Sequence, residues 1–550
     1  MEKRLILAIV LSFVILFAYQ AVFMKKKPQT EVVQPIAAEA LQKPEQKAPE
    51  ITVPAAPSAE QTPQEKTVSQ PVASQKEEEI SIDSSLYHAV WSNKGGVLKS
   101  WKIKKHTDEN KEALELVSKS AADTGKYPFC LWTEDLAFND AVNGVFYKSS
   151  GSSLQLKDGE KGEIRFEYSD GKDTKIEKTF IFLGGTYDFE VRIEAWKNGQ
   201  KMDPNIVWGP GIGNPSPEEL KRRVGGAAGG IAVLAADKVY RVNERKYNPQ
   251  QSAFNFVSWA AFEDNYFAAV FLMPTQKGTA AFLQETKDKL AYFYVAAAHP
   301  QRVFIGPKEF DVLLKLGQNT KQLMNFGFFG AIAEILLRAI KFIHKAIPNW
   351  GMAIIILTFL IKIVFFPLTY SSTKSMAKMQ ELQPKIKALR AKYKKAKQDI
   401  GQRRQMNEEM MRLYKEHGIN PAGGCLPLLI QIPVFWGFFR MLTVGIEFRQ
   451  APFMLWIRDL SIKDPFYVTP ILMGLTQYIS QKMTPTSADP TQAKMMLIMP
   501  FIFTIFFMNF QSGLVLYWLT NNVLQIGQQA IMNRMMAKKK KEDHGKRRKD

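Results

Sequence analysis

Five apolar runs between residues 350 and 532 constrain the fold more than any other feature of the sequence. They extend approximately over Trp350–Tyr370, Cys425–Val444, Phe466–Gln481, Met495–Phe510 and Gly513–Met532. A helix of about 20 residues crosses the hydrocarbon core of a bilayer. The third and fourth runs have only 16 residues, so their helices need a thinned bilayer or mutual shielding. We therefore expect a polytopic α-helical membrane protein.

A sixth run, Leu5–Met24, predicts an N-terminal membrane anchor over residues 1–27. A cleaved signal peptide is the alternative, but it would have a shorter apolar core and a small-residue cleavage site. Residues 28–80 contain no Phe, Trp or Tyr and are rich in Pro, Gln, Ala, Lys and Glu. Such a composition cannot bury a core, so this segment is predicted to be a disordered tether.

Residues 81–322 show the pattern of β-strands. In EIRFEY (163–168) and TYDFEVRIEAW (186–196), apolar residues alternate with charged ones, and Asp170-Gly171 after the first gives a hairpin turn signal. Strands with one apolar face form antiparallel sheets that pack on each other. This region is long enough to bury its own core, and we expect an all-β sandwich domain.

Residues 323–348 predict an amphipathic helix. The apolar side is formed by Ile332, Ile335, Leu336, Ala339, Ile340 and Ile343, and the opposite side by Glu334, Arg338, Lys341 and Lys345. A helix with two such faces suits the plane of a membrane surface better than its interior. The alternative is a helix that packs on the β domain.

The distribution of charge predicts the topology. The segment 371–420 has 13 Lys/Arg and 5 Asp/Glu, and the tail after Met532 has nine and three, whereas the loop 445–465 is neutral. Basic segments stay in the cytoplasm, so six spans place both termini there and the β domain in the periplasm. The predicted spans after the anchor are 349–371, 421–444, 466–483, 495–510 and 513–532, joined on the cytoplasmic side by 372–420 and 484–494 and followed by the basic tail 533–550.

The basic segment 372–420 has its own helical pattern. Met379, Leu382, Ile386, Leu389 and Tyr393 are spaced as in a coiled-coil seam, and Met406, Met410 and Leu413 resume a similar spacing after a break. This pattern predicts a helical hairpin in the cytoplasm. Its lysines either form a solvated face that fixes orientation or contact a ribosome, a nascent chain or a targeting factor.

Lys362 lies twelve residues after Trp350, so it is about 18 Å deep in the first of the five spans. An isolated charge there costs about 3 kcal/mol and normally faces protein or water. The other four spans contain no Asp or Glu, which argues against a buried ion pair. They do contain neutral polar residues: Thr358 one turn before Lys362, Gln431, and the stripe of Tyr517, Asn521, Gln525 and Gln528. Such stripes can join helices, but with an unpaired lysine they fit a water-containing groove better.

Few residues suggest catalysis. Cys130 and Cys425 are predicted on opposite sides of the membrane, and we find no zinc-ligand spacing, Walker A loop or nucleophile elbow. An anchored enzyme would need His88, His106 or His299 to converge with acids. A transporter that uses Lys362 would need inverted repeats and partner carboxylates. The net charge of +20 is explained by membrane orientation, anionic lipid or a ribosome, so no nucleic-acid function is predicted. Because the ligand spacings are missing, no cofactor or metal is predicted either.

Four stretches carry a resemblance to a known family. They are PLTYSSTKSMAKMQELQPKIKALR (367–390), NPAGGCLPLLIQIPVFWGFFRML (420–442), FRQAPFMLWIRDLSIKDPFY (448–467) and SGLVLYWLTNNVLQIGQQ (512–529). Over residues 350–532 the chain resembles the YidC/Oxa/Alb membrane protein insertases, and specifically the YidC group of Gram-negative bacteria. The anchor, tether and β domain match that group in order and size.

The resemblance implies a non-enzymatic insertase and chaperone of the bacterial inner membrane, with a five-helix core and a periplasmic β-supersandwich similar to sugar-mutarotase folds. It implies a hydrophilic substrate groove, to which we assign Lys362, Thr358, Gln431, Tyr517, Trp518, Asn521 and Gln525. The family commonly has Arg where this chain has Lys362, which keeps the charge but not the planar fork. The implied partners are nascent membrane proteins, lipid, the Sec translocon, the signal recognition particle pathway and ribosomes, and the protein is expected to act as a monomer.

Overall fold

The computed structural model describes residues 71–151, 153–215, 230–243, 247–248, 252–274, 278–287, 290–393, 399–418, 426–484 and 490–546. The predicted anchor, most of the predicted tether and Cys425 lie outside these residues. The tether's end is described from residue 71, where Val72 pairs with Ser169 of the β domain.

The β domain begins at Glu79, two residues before the predicted boundary. Its strands are β1 (Glu79–Ser84), β2 (Tyr87–Ser92), β3 (Val97–Thr107), β4 (Ala113–Glu115), β5 (Leu131–Trp132), β6 (Lys148–Ser150), β7 (Leu154–Leu156), β8 (Lys161–Ser169), β9 (Thr174–Leu183), β10 (Asp188–Lys197), β11 (Gln200–Met202), β12 (Asn205–Trp208), β13 (Gly230–Ala235), β14 (Lys238–Asn243), β15 (Ala253–Glu263), β16 (Phe267–Leu272), β17 (Gly278–Lys287), β18 (Leu290–Ala298) and β19 (Arg302–Pro307).

The strands form two sheets. One sheet has the order β4-β3-β2-β1-β7, in which only the β1–β7 pair is parallel among the described strands. The larger sheet follows the order β5-β12-β18-β17-β15-β16-β19-β10-β9-β8-β6, with β11 beside β10, and with β13 joining β14 to β15. Apart from the β1–β7 pair, the described strand pairs are antiparallel, as predicted.

Aromatic side chains fill the space between the two sheets. Trp91 of β2 lies 4.2 Å from Phe180 of β9, measured between ring centroids, and Trp101 of β3 lies 5.7 Å from Phe189 of β10. All four rings are buried. Large aromatic rings remove much apolar surface from water, so this layer holds the sheets face to face.

The two alternating stretches of the sequence are strands, as predicted. EIRFEY lies in β8, where Ile164 and Phe166 are buried. The carboxylate of Asp170 accepts hydrogen bonds from the backbone N–H groups of Lys172, Asp173 and Thr174 and so shapes the turn into β9. The hairpin signal at this position therefore has a clear physical basis.

Lys178 of β9 is a buried cation that the sequence pattern did not reveal. Its side chain is fully buried, and Nζ donates to the carbonyl oxygens of Gly95 at 2.6 Å, Phe129 at 2.9 Å and Gly96 at 3.3 Å. These acceptors belong to the β2–β3 turn and the segment before β5. One ammonium group therefore ties the larger sheet to two loops, and its three bonds offset the loss of hydration.

The helices have these bounds: α1 (Ser120–Thr124), α2 (Leu136–Gly144), α3 (Phe310–Leu316), α4 (Gly330–Ala346), α5 (Trp350–Glu381), α6 (Gln383–Lys392), α7 (Ile400–Glu416), α8 (Leu426–Val444), α9 (Val468–Met483), α10 (Pro490–Phe507) and α11 (Ser512–Lys546). Short 3-10 helices cover Thr320–Leu323 and Ile446–Phe448. The first three helices belong to the β domain.

Helices α5 and α8 to α11 each overlap one of the five predicted C-terminal spans, but the ends of α5, α10 and α11 differ from the predicted ones. Among the described helices, α5 is the one that is long and apolar enough by itself to cross a membrane. Shorter apolar stretches occupy Ile430–Val444 in α8 and Met496–Phe507 in α10. The count of six spans, with its five-helix core, therefore stays a prediction.

Helix α4 lies within the predicted amphipathic segment, but its apolar side packs on other helices. Leu336, Leu337 and Ile340 are buried, and α4 contacts α5 and α8. Ile335, which was expected on the same side, is 65% exposed, and Phe342 is 76% exposed. The inward face is thus rotated from the predicted one, and contact of α4 with a membrane surface stays a prediction.

The predicted cytoplasmic hairpin corresponds to the end of α5 with α6 and α7. Leu382, Ile386 and Tyr414 form a small buried cluster, and Met379, Met410 and Leu413 pack against it. Tyr393 instead donates its hydroxyl to Glu409 at 2.8 Å, and Leu389 is half-buried. Because α5 continues to Glu381, the first ten residues of the predicted hairpin belong to that long helix.

Replacing Lys178 with Met should destabilise the β domain by about 3 kcal/mol, because the buried carbonyl oxygens of Gly95, Gly96 and Phe129 lose their donor. Denaturation of the full chain, followed by proteolysis of the β domain, measures the change. Lys172→Met, at an exposed lysine of the preceding turn, is the control and should change stability little. Equal stability of the two variants would contradict the structural role.

Wild type and Lys178→Met should also differ in their response to pH. Burial lowers the pKa of Lys178 from its ordinary 10.5 to about 8. Between these values the unfolded chain binds more protons than the folded one, so the wild-type free energy of unfolding gains a term that rises with pH. The stability difference between wild type and variant should therefore widen from pH 8 toward pH 10.5. A constant difference across this window would refute the titration of Lys178.

Candidate functional site

A cavity of about 250 Å³ lies between α5, α8, α9 and α11. All seven residues assigned to the groove from the sequence line it: Lys362, Thr358, Gln431, Tyr517, Trp518, Asn521 and Gln525. The structure therefore brings these residues together, because one face of α5 and one face of α11 meet here. Their role in binding a substrate stays a prediction.

Lys362 faces this cavity from α5 and has a neutral partner. Its Nζ donates to Oε1 of Gln525 on α11 at 2.8 Å. Gln525 lies twelve residues after Gly513, as Lys362 lies twelve after Trp350, so both are about 18 Å along their helices. Within the described part of the chain, Lys362 forms no salt bridge, and its hydrogen-bond partner is the neutral Gln525.

Two other predicted residues, Thr358 and Trp518, already use their polar atoms in hydrogen bonds within the protein. The hydroxyl of Thr358 donates to the carbonyl of Ile354 in its own helix at 2.6 Å. Nε1 of Trp518 donates to Oε1 of Gln477 on α9 at 3.1 Å. The donor of Thr358 is therefore used within α5, and that of Trp518 joins α11 to α9, so both residues are less available to a substrate than Lys362.

Several polar residues that line the cavity escaped the sequence reasoning. Gln477 and Ser480 on α9, and Asn522 and Gln529 on α11, all line it. Asn522 donates to the carbonyl of Met473 at 3.1 Å and so joins α11 to α9. The spacing of Gln477 and Ser480 on one face of α9 was the available signal. It became informative only once α9 was placed beside α11.

The charge of the cavity has one sign. Its described lining residues include a single cation, Lys362, and otherwise consist of amides, hydroxyls, Trp518 and apolar side chains, without a carboxylate. Neutral amides and hydroxyls can hydrogen-bond to water or to peptide groups. An ammonium without a counter-charge attracts anions over several ångströms. The arrangement therefore suits a polar peptide segment with acidic side chains, and it offers no nucleophile paired with a base.

The loop 445–465 joins one end of the lining helices. Nδ2 of Asn349, at the start of α5, donates to the carbonyl of Phe453 at 2.9 Å. The backbone N–H of Ser512, at the start of α11, donates to the carbonyl of Ile462 at 2.7 Å. Asp464 caps α9 by accepting from the backbone N–H of Thr469 at 2.8 Å. The first residues of α5, α9 and α11 are therefore all bonded within or to this loop, which fixes the spacing of the three helices at this end of the cavity.

The β domain holds the same loop from the other side. Nη2 of Arg449 and Nε2 of Gln450 each donate to the carbonyl of Thr107, at the end of β3, at 3.0 Å. The helix bundle and the β domain are therefore connected through the loop that sets the ends of the cavity helices.

An ion cluster adds to this junction. Nζ of Lys341 on α4 lies 2.6 Å from Asp311 of α3 and 3.2 Å from Glu447 of the loop. Burial raises the pKa of Glu447, since Lys341 only partly replaces the lost hydration. Burial also lowers the pKa of Lys341, but the bonds to Asp311 and Glu447 outweigh it and leave that pKa above its ordinary value.

The histidines do not converge. His88 lies 3.1 Å from Asp83, His106 lies 3.9 Å from Glu309, and His299 lies 3.7 Å from Asp203, each measured from ring nitrogen to carboxylate oxygen. Three separate pairs do not form the shared site that the enzyme alternative requires. Among the described residues, no group of His, Cys, Asp and Glu is arranged to hold a metal ion.

Comparison with known proteins matches both halves of the chain. The family model described as the YidC periplasmic domain matches residues 79–339, and the model described as 60Kd inner membrane protein matches residues 342–540. A membrane protein insertase YidC from Geotalea daltonii is 39% identical over 98% of this chain and 100% of its own length. One from Citrifermentans bemidjiense is 38% identical over the same shares.

A solved structure is also similar. It is a crystal structure of an active YidC insertase with its first transmembrane domain resolved. The match covers 83% of this chain and 93% of that one, at 19% identity and a TM-score of 0.36.

Replacing Asp464 with Ala should destabilise the helix bundle by about 2–4 kcal/mol. The carboxylate accepts from Thr469 N–H, from the Thr469 hydroxyl at 2.7 Å and from Phe466 N–H at 2.9 Å, and it is buried. Thermal unfolding of the detergent-solubilised chain measures the loss. Asp464→Asn keeps one acceptor oxygen and should lose less. If Ala and Asn behave alike, the cap is not what holds α9.

Proposed function

Because the chain belongs to the YidC family of membrane protein insertases, we propose that the cavity between α5, α8, α9 and α11 receives the segment being inserted. The function itself, membrane protein insertion, follows from relatives named insertases that match nearly the whole chain. The chain is an inner-membrane protein with a periplasmic domain that is mostly β-sheet. Membership of this family does not support the transporter alternative, and the relatives are insertases rather than enzymes.

The single observation that carries the proposal is Lys362, a cation that has no acidic partner among the described residues and that lines a polar cavity inside an apolar bundle. Moving a polar peptide segment into lipid is costly because its backbone groups lose water. A cavity with amides and hydroxyls reduces that cost for the segment that must cross. Burial of the client's apolar residues in lipid then supplies the driving force, at about 25 cal/mol per Å².

In this proposal Lys362 attracts acidic side chains of the client. Gln431, Tyr517, Asn521 and Gln525 provide polar contacts along the path. Trp518 joins α11 to α9, and Thr358 lines the cavity with its hydroxyl bonded within α5. The loop 445–465 keeps one end of the helices together, so the client enters from the other end or from the lipid side. The hairpin formed by the end of α5 with α6 and α7 is the element that meets arriving clients, and Met379 and Met410 pack against its small buried cluster.

We further propose six spans with both termini in the cytoplasm, a five-helix insertase core, and a supersandwich arrangement of the periplasmic domain. The charge distribution of the sequence supports this orientation. The exposed Ile335 and Phe342 of α4 support contact with the periplasmic membrane surface. The Sec translocon, the signal recognition particle pathway and ribosomes are the proposed partners, and the protein is proposed to act as a monomer.

Depletion of the protein from cells should block insertion of small, weakly apolar membrane proteins, because these bury too little apolar surface to enter lipid unaided. Protease accessibility of the translocated segment measures insertion. A strongly apolar client should be affected less. If both clients insert normally after depletion, the chain does not act as an insertase for them.

Lys362→Ala should lower insertion of a client with an acidic residue in its translocated segment by about tenfold, because the attracting charge is removed. Lys362→Arg keeps the charge and should retain most of the activity. Quantified insertion in reconstituted vesicles distinguishes them. Lys374→Ala, at an exposed lysine of the same helix, is the control. Equal loss in Lys362→Ala and Lys362→Arg would show that charge is not the operative property.

A further inference from the structure

The partner of Lys362 has donors of its own. An ammonium nitrogen only donates, so Gln525 must present its oxygen to it, as the 2.8 Å contact shows. The amide nitrogen of Gln525 keeps two N–H groups, and among the described residues it donates neither to protein. Lys362 likewise has N–H groups beyond the one that Gln525 accepts. Both side chains line the same cavity.

These donors suit one kind of ligand. A carboxylate has two oxygens and binds best to two donors side by side, as an Arg guanidinium offers. A lysine presents its donors from a single atom and cannot form that pair alone. An ammonium and an amide N–H₂ from facing helices together provide two donors at neighbouring positions.

We propose that Lys362 and Gln525 form a two-donor receptor for a client carboxylate, with Gln525 as its specificity-determining residue. In the empty cavity Gln525 accepts from the ammonium. When an Asp or Glu side chain of the client arrives, the carboxylate replaces that oxygen, and Gln525 turns its amide N–H₂ toward the second carboxylate oxygen. The inference rests on the proposed function of the cavity.

The resting hydrogen bond makes the receptor selective. A neutral hydroxyl or amide of a client gains no more from the ammonium than Gln525 already provides, so it does not displace Gln525. A carboxylate adds the attraction between opposite charges, which no neutral group offers, and so does displace it. Gln525 thus favours acidic side chains over neutral polar ones by competing with the neutral groups.

The test compares two clients that differ only by Asp or Asn at one position of the translocated segment. The quantity measured is the ratio of their insertion by the full chain in reconstituted vesicles. Gln525→Met has a similar length but no amide, and it should lower the Asp/Asn ratio about fivefold because the second donor and the competitor are both lost. Gln525→Glu places a permanent carboxylate beside Lys362. It should bring Asp insertion down to the Asn level or below.

Gln431→Met is the matched control, since Gln431 is another amide that lines the cavity, whereas the hydrogen bond of Lys362 within the described chain goes to Gln525. It should leave the ratio unchanged even if it alters insertion of both clients. An unchanged ratio in Gln525→Met, or equal losses for both clients in Gln525→Met and Gln525→Glu, would overturn the receptor. Failure of the wild type to insert either client would instead refute the proposed function.

Discussion

The Lys362 ammonium has to be held inside a helical bundle whose described cavity lining has no carboxylate to neutralise it. A charge at such depth persists only beside polar groups or water. An amide at the same height on α11 meets it, and hydroxyls and further amides of the neighbouring helices surround the space. On the same helix, Ile363 and Val364 are exposed and apolar, as lipid requires. The polar lining and the apolar exterior are thus two consequences of placing one charge in this helix.

The bundle also needs a fixed end, and loop 445–465 provides it through backbone contacts rather than apolar packing alone. Ser512, Asn349 and Asp464 bind this loop to the starts of three helices. Arg449 and Gln450 extend the same network to the β domain. At the opposite end of the bundle, α5 passes into the hairpin of α6 and α7.

Sequence patterns predicted what depends on one element at a time. The stripe of Tyr517, Asn521 and Gln525 follows from helical spacing, and all three line the cavity. The contacts of Gln477 and Asn522 depend on how α9 and α11 are aligned, which no local pattern contains. The same limit applies to α4. Its predicted apolar side left out Leu337, which is buried in the structure. Lys178 was missed because an alternating strand pattern does not distinguish a buried lysine with three carbonyl acceptors from an exposed one.

The ends of the helices could not be predicted from the charge pattern. Charge marks where a chain leaves the membrane, but it does not mark where a helix ends, and α5 continues from the apolar run to Glu381. No Gly or Pro lies between Leu368 and Glu381 to stop it.

Helix α11 shows the same continuity on a larger scale, since it runs unbroken from Ser512 to Lys546 and is about 52 Å long. Its first half has the polar stripe of the cavity, and its last turns contain the lysines of the C-terminal segment. The hydrogen-bonded backbone of one continuous helix thus connects the cavity lining to the basic C-terminal segment. The two regions are parts of one structural element, so the position of Gln525 is not independent of the position of that segment.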